Sequence, residues 1–201
     1  MANYRTSRII PTILTVVIIV VAIAGIVALA RLLFAGGAAN TEQQVDMSQQ
    51  NLLSTVDTRS VSMTVRGPIV ADEDFRSYRI VVSPSSRTIE AFTGYLDKTT
   101  DQQSLPNNTA AYDQFVNALD KANLVAGTPF EGENNNVLGI CATGRVYEFA
   151  LLDGGSVDEM LWTSTCSGSP GSLRANVRQL SQLFLNQIPN GSDITTRLKL
   201  E

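Results

Sequence analysis

Residues 9–30 read IIPTILTVVIIVVAIAGIVALA, 22 positions without a charge. A helix crosses a bilayer in about 20 apolar residues, so this run predicts a single membrane span. Pro11 falls in the first turn, where its missing N–H is harmless, and Arg31 stands at the far end, placed to snorkel to the interface. Arg5 and Arg8 precede the run, and after Arg31 no Lys or Arg occurs until Arg59. That bias favours the N-terminus inside and the C-terminus outside. A cleaved signal peptide is the competing reading, since AGGAAN at 35–40 offers small residues for cleavage, for example after Ala39. Signal peptides carry a shorter apolar core of about 7–15 residues, and the uncleaved anchor is favoured. A buried globular helix is disfavoured because the run has no polar face.

The chain then divides into a cytoplasmic tail at 1–8, a signal-anchor helix at 9–34, a stalk or linker at 35–58 and an extracytoplasmic domain at 59–201. The first 34 residues hold three of the 15 Lys and Arg and none of the 19 acids, so the remainder carries a net charge of −7. So acidic a surface repels phosphate backbones, which excludes nucleic acid as a partner.

Both cysteines, Cys141 and Cys166, lie in the outer part, and the chain has no histidine. Zinc needs four ligands, or three and a water, and a nucleophilic cysteine usually needs a histidine base. A disulfide is favoured over reduced core cysteines, and it belongs to the oxidising compartment that the anchor would reach.

Between the cysteines, RVYEFALL (145–152) and EMLWTST (159–165) flank DGGS, a hairpin signal. A two-residue turn at Asp153-Gly154 sets Cys141 opposite Cys166 but Glu148 opposite Glu159, a like-charge pair. A four-residue loop instead opposes Tyr147 to Trp162 and Phe149 to Met160. Both loops are even in length, so both place the cysteines on the face of Tyr147, Phe149, Met160 and Trp162. That aromatic face is expected to form the core, with the disulfide at its edge.

Elsewhere Val61, Met63 and Val65 alternate with polar residues, as do Tyr78, Ile80 and Val82. A turn at 83–86 leads into a third strand over 87–95. Tyr112, Phe115, Val116 and Leu119 make one helical stripe, with Thr109 as its expected N-cap. Leu173, Val177, Leu180, Phe184 and Ile188 make another, with Ser172 as its cap and Pro189 as its stop. Asn40 to Asp57 reads as a helical stalk or a packed helix. The whole predicts an α+β domain: an antiparallel sheet of about five strands with two helices packed on one face.

Chemistry is sparse. The lack of histidine removes the usual triads and His-metal sites, and there is neither a G-x-S-x-G elbow nor a phosphate loop. Gly168 to Ser172 precedes a predicted helix and offers N–H groups to an anion, though a turn and cap is the favoured reading. Asp158 and Glu159 are adjacent on a strand and point to opposite faces, so they form no carboxylate pair. Asp72-Glu73-Asp74 and the stretch Glu131 to Asn136 are rich in oxygen ligands but lack the calcium-loop spacing.

The reading is therefore a membrane-tethered, non-catalytic binding or assembly module without a cofactor. Its expected partners are the membrane, through the N-terminal helix, and a protein or cell-envelope component. The alternatives are a structural subunit of a membrane complex and a carboxylate-dependent envelope hydrolase. Binding residues concentrate in loops on a rigid scaffold, which points to Asp72, Glu73 and Asp74, and to Glu131, Glu133 and Asn134.

Overall fold

The structure is a computed structural model that describes residues 48–200. The apolar run at 9–30 lies outside the described residues, and no helix among those described is long and apolar enough to cross a membrane. The described part begins with a helix over residues 48–53 (α1). It continues through β1 (Arg59–Arg66), β2 (Arg76–Val82), β3 (Ser86–Thr93), β4 (Lys98–Pro106), α2 (Thr109–Lys121), β5 (Val146–Asp153), β6 (Ser156–Ser164), α3 (Val177–Leu185) and α4 (Gly191–Leu198). The strands form one antiparallel sheet in the order β4-β3-β2-β1-β5-β6. The fold is α+β, with six strands rather than about five and four helices among the described residues.

Strand alternation builds the core. Val61, Met63 and Val65 of β1, Tyr78, Ile80 and Val82 of β2, and Ile89 and Ala91 of β3 all enter one cluster. Tyr112, Phe115, Val116 and Leu119 of α2 cover them, and each such burial stabilises the fold by about 1.5–3 kcal/mol. Phe184 of α3 sits between sheet and helix, edge-on to Phe115 at 5.2 Å and tilted against Phe149 at 5.9 Å. Leu52 of α1 is fully buried in the same cluster.

β4 was not expected, because KTTDQQSLP has no apolar alternation and its side chains are largely exposed. Its pairing with β3 through the backbone ladder is what makes it a strand. Both helix caps also differ from expectation. Asn108, not Thr109, caps α2, its side chain accepting from the Ala111 N–H at 2.9 Å. Asn176 caps α3, accepting from Gln179 N–H at 3.2 Å. Ser172 is buried instead, and its hydroxyl accepts from the Trp162 N–H at 3.2 Å. The segment before α3 is extended because the N–H groups of Ser172 and Leu173 both donate to Trp162 O, sealing the outer edge of β6. Leu173 reaches the core from that extended segment, not from a helix.

The late hairpin departs most from expectation. Asp153 pairs with Ser156, so Gly154 and Gly155, at φ +58° and +84°, form the turn. Two consecutive positive φ angles are what a twist-matched two-residue hairpin turn requires. Leu152 then faces Val157 and Leu151 faces Glu159, which leaves Asp158 as an extra residue on β6. One extra residue in one strand reverses the facing of everything beyond it. Glu148 accordingly faces Trp162, and the like-charge pair with Glu159 does not form.

The four side chains expected on one face are therefore split. Phe149 and Leu161 enter the helix-covered core, with Tyr147 packed against it. Trp162 joins Val137, Cys141 and Val146 in a second, smaller cluster, with Met160 and Cys166 packed against it. The segment 128–144 lies over that second cluster as a strap: Phe130 meets Trp162 edge-on at 5.8 Å, and the Asn135 amide donates to Met160 O at 3.4 Å. Cys141 and Cys166 are bonded, as expected, with Cα atoms 5.4 Å apart. The disulfide pins the strap to the end of β6 and belongs to the second cluster.

Candidate functional site

A cavity of about 480 Å³ lies between one end of the sheet and the two C-terminal helices. Val65 of β1 pairs with Tyr78 on one side and Tyr147 on the other, so the two tyrosines flank it on the helix-covered face and line the cavity floor. Arg145 and Thr165 form the wall at the strand ends, beside the disulfide. From α3 come Val177, Arg178, Ser181, Gln182 and Leu185, the flank next to the buried Leu180 and Phe184. Ser192 and Thr195 of α4, and Leu200 beyond it, close the other side. The volume falls within the range of small-molecule pockets, about 300–1,000 Å³.

The charges in this cavity run against those of the domain. Arg145 and Arg178 both line it, neither forms an ion pair among the described residues, and no carboxylate there joins the lining. Ser181 Oγ is buried without a hydrogen-bond partner. Burial holds the Tyr78 hydroxyl above the usual tyrosine range, the neighbouring Tyr147 pushes the same way, and the Arg145 guanidinium opposes both. Tyr78 is thus a neutral hydroxyl, able to donate and accept.

The loops singled out in the sequence are placed far apart. Asp72, Glu73 and Asp74 form a single 3-10 turn, and the Asp72 carboxylate accepts from Tyr95 N–H at 2.8 Å, tying it to the β3–β4 turn. Glu131 precedes, and Glu133 and Asn134 lie within, a second such turn over Gly132–Asn135, whose Asn135 binds β6. From β3 to β6 the sheet crosses four strand spacings, about 19 Å at 4.8 Å each. The two loops do not converge, and no group of three metal-ligating side chains occurs among the described residues.

Asp158 and Glu159 are engaged elsewhere. Asp158 accepts from Arg59 at 2.9 Å and Asn51 at 3.2 Å, and Glu159 accepts from the Ser48 hydroxyl at 2.5 Å. These contacts hold α1 at the turn end of the β5–β6 hairpin, so the described chain enters at the end of the strands opposite the cavity.

No sequence signal marked the cavity. Its residues come from β2, β5, the end of β6 and two short helices, one of them unexpected. No protein-family model matches the chain, and no curated protein matches it.

Proposed function

We propose that this protein is a membrane-tethered, extracytoplasmic binding module whose ligand site is the cavity between the sheet and the C-terminal helices. The observation that carries this reading is a ligand-sized cavity whose lining combines aliphatic side chains and tyrosine rings with two guanidinium groups, an amide and several hydroxyls. The disulfide supports an oxidising compartment, and the apolar run at 9–30 supports a tether. We read the module as non-catalytic: among the described residues the lining offers hydroxyls and guanidinium groups and no carboxylate or imidazole.

The test uses the full chain purified from its native membrane, denatured, with released small molecules identified by mass spectrometry. A stoichiometric small molecule is expected, and Gln182→Trp, which fills the cavity from an exposed helix position, should release none. Turnover of envelope glycan or peptide by the purified chain would overturn the non-catalytic reading.

A further inference from the structure

We infer that the cavity takes a small organic anion: a carboxylate or phosphate head on an apolar body. This deepens, and rests on, the reading of the cavity as the ligand site.

The charge distribution carries the argument. Outside the first 34 residues the chain has a net charge of −7. The other described arginines all donate from their side chains: Arg59, Arg66 and Arg197 to carboxylates, Arg79 to the Thr64 hydroxyl, and Arg76, Arg87 and Arg174 to backbone carbonyls. Arg145 and Arg178 depart from that pattern, since both border one cavity and neither side chain makes an ion pair or a hydrogen bond among the described residues. A guanidinium presents five N–H donors in a fixed fork that matches the oxygens of a carboxylate or phosphate.

Hydroxyls extend the same chemistry. Ser181 Oγ, buried and without a partner, and the Thr165 side chain border the cavity alongside the arginines. Val177, Leu185, Leu200 and the rings of Tyr78 and Tyr147 supply apolar surface. An inorganic ion would satisfy the cations and leave that surface in water, whereas an anion with an apolar body uses both. A cationic ligand would meet two like charges and, among the described residues of the lining, no counter-charge.

The experiment titrates the full chain, in nanodiscs of zwitterionic phosphatidylcholine, with four water-soluble probes. These are benzoate, phenyl phosphate, neutral benzyl alcohol and cationic benzylamine. Binding is followed by ligand-observed NMR with empty nanodiscs subtracted. At least one of the two anions should bind ten times or more tighter than both controls, and the better of the two identifies the head group. Arg178→Gln and Arg145→Gln should each weaken that anion by about tenfold, the loss expected for one charged hydrogen bond. Arg178 is exposed, so its replacement leaves the fold intact, and Arg178→Lys should restore part of the affinity. Equal binding of benzyl alcohol, or anion binding indifferent to both substitutions, would overturn the anion assignment while keeping a binding cavity. Failure of every probe to bind would overturn the cavity as the ligand site altogether.

Discussion

Thr165 clasps Arg145 from both sides: its N–H donates to Arg145 O at 2.9 Å, and its hydroxyl oxygen accepts from Arg145 N–H at 2.9 Å. The next residue along is Cys166, bonded to Cys141. The cavity wall and the disulfide are therefore one mechanical unit, with the wall on the helix side and the strap on the other.

Gly144 fills the inside of that unit. A Cβ at this position would run into Thr165 Oγ1 and come within 2.7 Å of Cys141 Sγ. Gly144→Ala should push the Thr165 hydroxyl off Arg145 and cost about 1–3 kcal/mol, as overpacking does. Urea unfolding of the outer domain measures it, and an unchanged midpoint would show that the clasp yields freely.

Removing the disulfide should cost about 3 kcal/mol in the chain-entropy model, for a bond spanning 25 residues. The strap at 128–144 holds to β6 chiefly through the second cluster, so Cys141→Ser with Cys166→Ser should raise its hydrogen exchange. Exchange in α2, which belongs to the other face, should stay as it was. Equal acceleration in both places would mean that the disulfide supports the whole domain.

The bulge at Asp158 predicts unequal costs for neighbouring residues on β6. Leu161, 3% exposed in the main core, should lose about 2–5 kcal/mol on truncation to alanine. Met160, partly buried on the other side, should lose no more than about half as much. Denaturant unfolding of the two variants decides it, and the reverse ranking would restore the unbulged register.

Tyr112 has its pKa pushed up to about 12 by burial, against which the Arg59 guanidinium acts, and Tyr78 lies higher still. A raised folded-state value means that the folded protein holds its proton more tightly than the unfolded chain. The resulting stability is complete below about pH 10, the unfolded value, and is lost as pH rises through the folded one. Stability should therefore fall steadily above pH 10, and Tyr112→Phe should make that fall shallower. A fall of unchanged steepness in the variant would assign the alkaline loss to other groups.

The tether is tested by external protease on sealed cells. Digestion of the domain without lysis is the expected outcome, with the bonded Cys141–Cys166 pair recovered in unreduced peptides. Protection until lysis would reverse the proposed topology.

What the sequence by itself determined were the features that depend on neighbours along the chain. The alternation in β1 to β3 and the stripe in α2 follow from side-chain periods of two and 3.6, and the helix-covered core contains the residues those periods select. The disulfide followed from elimination, with two cysteines and no histidine. Tertiary structure decided what depends on distant partners. β4 exists because β3 offers it a ladder, and Ser172 lies at an edge because Trp162 O accepts two N–H groups there. The facing of Trp162 depended on one unpaired residue, Asp158, whose carboxylate accepts from Arg59 and Asn51 in segments about a hundred positions away. The cavity belongs to the same class. Arg145 and Arg178 border one cavity only when the sheet end and α3 are brought together, a juxtaposition that no local pattern encodes.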